Sequence, residues 1–225
     1  RMALHINGVF HSEAAFFFMP VFFYTICMYT RNKNKIYLVL HILAIAVLIH
    51  LNVGIGIQFF ILSSLFVFWF IVEQKLYKHL FVFLILPVAL SNFILFDIKH
   101  DFGMTKALLA TGASSKFFIS TQSFIENRFN NLISMQIFEQ NSGNMPINYI
   151  IFSLIIVFTV LQIRKAEKNR KIYFLFLFYY FGYIGLSIFN KGILLFHYVY
   201  LLIPLTTLWL VSFLSTRYRL LFLPF

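Results

Sequence analysis

The sequence predicts an all-α polytopic membrane protein of about seven spans, with one long outward-facing loop carrying an amphipathic helix. Three observations predict it. Of the 225 residues, 61% are hydrophobic and only 11% are charged, against about 45–50% and about 25% in ordinary soluble domains. The mean hydropathy is +0.86, and a chain of this size has too few polar residues to coat so much apolar surface. A soluble enzyme, a disulfide scaffold and a disordered chain are excluded. The apolar residues are gathered into runs of bilayer-spanning length, and Lys and Arg are dense in every second connection between them.

A bilayer core of about 30 Å needs about 17–25 apolar residues in a helix. Seven segments meet that length: 14–30, 36–52, 53–72, 80–96, 147–163, 172–189 and 193–214. The second and third form one apolar stretch from 36 to 72. As a single helix it would measure about 55 Å, far beyond the bilayer. His50, Asn52, Gly54 and Gly56 near its middle predict a tight helical hairpin. Pro87 and Pro204 are expected to kink the fourth and seventh spans. One membrane domain, 1–225, is expected. The chain opens on Arg1 without a signal-peptide pattern, and we expect it to be a portion of a longer one.

Orientation follows from the basic residues. Arg31, Lys33 and Lys35 follow the first span, and Lys75 and Lys78 follow the third. Five Lys and Arg crowd into 164–171, and Arg217 and Arg219 follow the seventh span. These alternate connections hold 12 Lys and Arg against 6 on the other side, so the dense side is cytoplasmic. The formal net charge of +11 is then topology, and nucleic acid is not expected as a partner. The connection 97–146 faces outward, and Phe118, Ile125, Phe129, Leu132 and Ile133 predict an amphipathic helix within 114–139.

Polar residues at membrane depth are expensive and mark candidate sites. His50 and Asn52 lie at the outer end of span two, and Asp97, Lys99, His100 and Asp101 at the outer end of span four. Asn190 and Lys191 border span seven, with His197, Tyr198 and Tyr200 just inside it. Together they predict an outward-facing polar pocket. His41 is expected to be a buried histidine bonded to a neighbouring helix. Ser63 and Ser64 lie in a lipid span and are expected to have no nearby His or Asp partner, which argues against a serine hydrolase. No metal-ligand spacing occurs, Cys27 is the only cysteine, and neither metal nor cofactor is expected.

Several stretches resemble the multi-spanning GT-C glycosyltransferases, in the bacterial branch related to protein O-mannosyltransferases and lipid A aminoarabinose transferases. The first is Leu86-Pro87 followed by Phe96-Asp97-Ile98-Lys99-His100-Asp101-Phe102-Gly103-Met104-Thr105-Lys106-Ala107-Leu108-Leu109. It is similar to the family's proline-containing span, acidic residue, His–small–Phe element and Thr-Arg/Lys-Ala-Leu-Leu stretch. Asp101 stands where that pattern has a small residue, usually Gly. Residues 46–61, with His50 before a Gly-containing apolar helix, resemble a second family stretch. Phe196-His197-Tyr198-Val199-Tyr200-Leu201-Leu202-Ile203-Pro204 resembles a third.

The resemblance implies a site on the outer face of the bacterial plasma membrane that takes a sugar from a polyprenyl-phosphate donor. The substrate-binding residues expected there are His50, Lys99, His100, Lys106, Lys191, His197 and Tyr198. In such families the acceptor is activated by an Asp in the first outer loop, a region that would precede Arg1; neither Asp97 nor Asp101 matches it. A transporter or flippase of a lipid-linked substrate, or a non-catalytic membrane subunit, are the alternatives. Visible internal repeats and midplane charges would favour the transporter.

Overall fold

The computed structural model describes residues 2–103, 105–106, 153–154, 156–157, 159–161, 163–164, 170–189 and 205, with side chains from 14 to 186 within those ranges and at 205. Among the described residues the chain is all-helical. Helix α1 is Met2–Asn32, α2 is Lys35–Leu51 and α3 is Val53–Gln74; a 3₁₀ segment, Tyr77–Leu84, leads into α4, Ile85–Ala89, and α5, Ser91–Lys99. Helix α6 is Arg170–Phe189. The expected loop helix within 114–139, the expected span 193–214 apart from Leu205, and most of the expected span 147–163 lie outside the described residues.

Two of these helices, Ala14–Asn32 within α1 and Val53–Gln74, are long and apolar enough to cross a membrane. A bent pair, Tyr77–Ala89 with Ser91–Lys99, brings the number to three if it is one span. Helix α2 is apolar but shorter, at 17 residues. Large apolar side chains are on the outside as well as in the core. Phe17, Leu65, Phe81 and Val88 are 76%, 58%, 69% and 72% exposed, while Phe22, Phe59, Phe70 and Leu48 are fully buried. A helix set that is apolar on its outward face suits lipid as the surrounding medium.

The break between α2 and α3 falls at Asn52, as the polar residues there predict. Its backbone is extended and its N–H closes α2 on the Leu48 carbonyl. Its side chain then accepts from the Ile55 N–H at 3.2 Å, capping α3. One residue thus ends one helix and begins the next. Gly56 lets the two helices touch, since a Cβ there would sit 2.5 Å from the Ile49 backbone.

Contacts along the helices set their directions. Ile49 meets Gly56 and His41 meets Ser63, so α2 and α3 are antiparallel. Phe22 and Phe23 meet Phe59 while Tyr29 meets Phe70, so α1 and α3 are parallel. From Phe59 against Tyr183 to Glu73 against Lys171, α6 runs antiparallel to α3. Tyr29 also holds the 3₁₀ segment through a 3.0 Å contact between its hydroxyl and His79 Nδ1. The packed centre is aromatic, with Phe22, Phe23, Phe59 and Tyr179 in mostly edge-to-face contact, each such pair contributing about 0.5–1.5 kcal/mol.

The expected kink of the fourth span is a larger departure from one helix over 80–96. The chain is 3₁₀ up to Leu84, and α4 and α5 are bent by 50°. Pro87 has no N–H to offer the Phe83 carbonyl, and its ring crowds the preceding turn. The residues before it tighten into 3₁₀ geometry and the direction changes at Leu90, one turn later.

Candidate functional site

The end of the helix set that carries Asn52 also carries the sequence-predicted polar residues that are described. His50 is exposed; its Nδ1 lies 2.8 Å from the Ala46 carbonyl of its own helix. Its ring meets Phe93 edge-on at 4.7 Å. Phe93 lies one turn before Asp97, so the α2 terminus packs beside the helix that leads to the acidic turn.

That turn is built from its own hydrogen bonds. The Asp97 carboxylate accepts from the Thr105 hydroxyl and, at 3.3 Å, from the Thr105 N–H. The Asp97 carbonyl accepts from the Phe102 N–H at 2.8 Å. Between these closures Asp101 and Phe102 have φ of 53° and 57°, the left-handed region that costs a side-chain-bearing residue about 1–2 kcal/mol. His100 folds back on its helix, its ring stacked on Phe96 at 4.0 Å and its Nδ1 2.7 Å from the Phe96 carbonyl. Lys99, His100 and Lys106 are all exposed on this turn. Three of the expected residues share this segment because they are close in sequence; what the structure adds is His50, packed on Phe93 from the neighbouring helix. Lys191, His197 and Tyr198 lie outside the described residues.

The Asp97 carboxylate ties Thr105, through its hydroxyl and amide, back to the end of α5, between the positions of Lys99 and Lys106. Among the described residues no group of three or more His, Cys, Asp or Glu is placed to hold a metal ion.

A second polar group lies deep among the helices. His41 Nε2 is 3.1 Å from Ser63 Oγ, which is 2.8 Å from the Tyr179 hydroxyl. His41 Nδ1 is 3.2 Å from the Phe22 carbonyl and 3.3 Å from Thr25 Oγ1, and Thr25 donates to Phe22 as well. A carbonyl only accepts, so Nδ1 carries the proton. In a neutral ring Nε2 then accepts from Ser63, and Ser63 accepts from Tyr179. Four helices contribute, α1 through Phe22 and Thr25 and the other three through one residue each, and all five residues are buried. His41 is thus the buried, bonded histidine expected. The expectation that Ser63 lacks a histidine partner is corrected: the partner is 22 residues away in sequence and adjacent in space, because the α2–α3 hairpin folds it there. No carboxylate joins the described contacts of this pair, and Ser63 and His41 are both 0% exposed, so it has the geometry of helix-joining polar contacts.

The opposite end holds a feature the sequence reading passed over. A cleft of about 580 Å³ is lined by Arg164, Arg170 and Lys171 with Glu73, Trp69 and Phe174. Lys171 Nζ donates to Glu73 at 2.8 Å, and Trp69 and Phe174 lie 5.2 Å apart. The signal was present in the basic run 164–171, but orientation alone explained it. Nothing in the sequence tied that run to Glu73, 98 residues from Lys171.

No protein-family model, no curated protein and no solved structure matches the chain.

Proposed function

We propose that the chain is part of a GT-C-type membrane glycosyltransferase that moves a sugar from a polyprenyl-phosphate donor to an acceptor on the outer face of the bacterial plasma membrane. In this reading it is a multi-pass protein of about seven spans with 97–146 outside. The observation that carries the proposal is the turn at 97–106. Position 101, where the resemblance has a small residue and usually Gly, has a φ of 53°, the conformation glycine favours and Asp tolerates better than most residues. The acidic residue and the Thr of the same stretch are bonded to each other. A loose motif thus corresponds to a specific backbone shape.

The chemistry suits that end of the molecule. The prenyl tail partitions into lipid, which leaves the donor phosphate at headgroup level beside Lys99 and Lys106. In the transfer the anomeric C–O bond to phosphate breaks, the acceptor oxygen bonds to that carbon, and the acceptor proton passes to a base. The phosphate leaves with its charge met by a lysine in a poorly hydrated site. His50, packed on Phe93, and His100 would help shape the entry. Asp97, held by Thr105, is the positioning residue of the turn.

The 50° bend between α4 and α5 supports a second reading, since discontinuous membrane helices often build transporter sites. Proteoliposomes carrying the protein and a labelled polyprenyl-phosphate sugar separate the two. The transferase reading expects labelled acceptor, with a Lys99→Ala/Lys106→Ala double variant losing about tenfold or more of the transfer. Donor crossing the bilayer without transfer would instead establish the transporter.

A further inference from the structure

The basic cleft between α3 and α6 has more in it than orientation requires. A positive-inside bias needs only Lys and Arg on one side of the membrane. Here Arg164 from one segment, and Arg170 and Lys171 from the first turn of α6, converge with Glu73 on a cavity of about 580 Å³, within the range of small-ligand sites. Among the described lining residues, three cations face one carboxylate. Glu73 is bonded to Lys171, which orients that ammonium, and Lys171 also lies over the Phe70 ring at 5.1 Å. The two guanidiniums have the planar fork that matches a phosphate.

The cleft is two-sided in chemistry. Trp69 and Phe174 form its apolar wall and are 41% and 39% exposed. They continue onto the exposed apolar face of α3 at Leu65 and Phe68, each 58% exposed. An occupant must therefore be anionic at the Arg164 and Arg170 end and apolar along Trp69. A soluble phosphate satisfies the first condition only.

We propose that this cleft is a binding site for the phosphate headgroup of an anionic phospholipid of the membrane's basic side, with its glycerol and upper acyl chains against Trp69 and Phe174. Basic pockets between membrane helices on the cytoplasmic side recognise such headgroups. The proposal rests on the membrane placement of α3 and not on the transferase reading.

The test uses Trp69 as its reporter. With Trp209 replaced by Phe, Trp69 is the only tryptophan in the chain. The protein is reconstituted in nanodiscs containing equal small fractions of phosphatidylglycerol or phosphatidylcholine brominated high on the acyl chain. Quenching is expected to report about a threefold to tenfold preference for phosphatidylglycerol. Arg164→Gln with Arg170→Gln brings the ratio to about one. Glu73→Gln, which removes the carboxylate described in the cleft, raises it, an opposite sign that misfolding would not produce. Equal quenching by the two lipids overturns the proposal, as does a Glu73→Gln variant that loses the preference. Inorganic phosphate that abolishes the preference, where chloride at matched ionic strength does not, assigns the site to free phosphate and overturns the lipid.

Discussion

The hydroxyls of Ser63 and Tyr179 share a 2.8 Å hydrogen bond between α3 and α6, although 116 residues separate them in the chain. Ser63 is also the partner of His41, so one small side chain joins α2, α3 and α6. Ser63→Ala removes both contacts and leaves His41 Nε2 and the Tyr179 hydroxyl without Ser63. Tyr179→Phe removes one. Hydrogen bonds between membrane helices average about 0.6 kcal/mol and reach about 1.7. We expect Ser63→Ala to cost about 1–2 kcal/mol and Tyr179→Phe about 0.6, in that order, measured by reversible unfolding in micelles. The reverse order would show that Ser63 is not the joint.

The hairpin makes a contrasting pair of glycines. A Cβ on Gly56 meets the Ile49 backbone at 2.5 Å, whereas one on Gly54 meets only Asn52 Oδ1 at an ordinary 3.6 Å. Gly56→Ala must push α2 and α3 apart, with an expected cost of about 1–3 kcal/mol. Gly54→Ala is expected to be neutral or to raise the melting temperature slightly. Thermal scans of the two variants side by side check this, and equal effects would contradict the close approach.

Asn52 should be hard to replace. Its side chain caps α3 at Ile55, and loss of such a cap costs about 1 kcal/mol. Asn52→Ala should be destabilised by that amount and Asn52→Asp should recover most of it. Chemical unfolding distinguishes them, and an unaffected Asn52→Ala variant would count against the cap.

At the acidic turn, Asp101→Gly relieves a left-handed residue. The expected outcome is a gain of up to about 1 kcal/mol in stability with transfer activity retained. Thr105→Val, which removes the hydroxyl bonded to Asp97, is expected to loosen the turn and lower transfer without altering overall helicity. A proteolysis time course of 97–106 alongside the transfer assay checks both. Protection unchanged in Thr105→Val would remove the positioning role from the pair.

Much of the architecture was legible because it depends on local chemistry. The apolar runs predict the membrane-length helices within α1 and α3 from length alone, since a bilayer demands about 17–25 apolar residues wherever they sit. The hairpin break was visible in Asn52, a cap residue inside an apolar run. The shape of the fourth segment was less so. Pro87 predicts a disturbance, but whether a helix merely kinks or becomes 3₁₀ with a 50° bend depends on what α2 offers it to pack against. His50, Lys99, His100 and Lys106 stand out as polar groups at the ends of greasy segments.

The sequence by itself determined that this is a helical, lipid-suited chain, where its second helix stops and its third begins, and which residues are too polar to be there without reason. These are properties of composition and of neighbours a few residues apart. Only the tertiary structure decided the pairings. Ser63 received His41 and Tyr179, Lys171 received Glu73, and Arg164, Arg170 and Trp69 came to share a cleft. The physical reason is that a contact between helices depends on their rotation and depth relative to one another. Those are set by packing of side chains such as Phe22, Phe59 and Leu62 across the interfaces, and no spacing along a single chain encodes them.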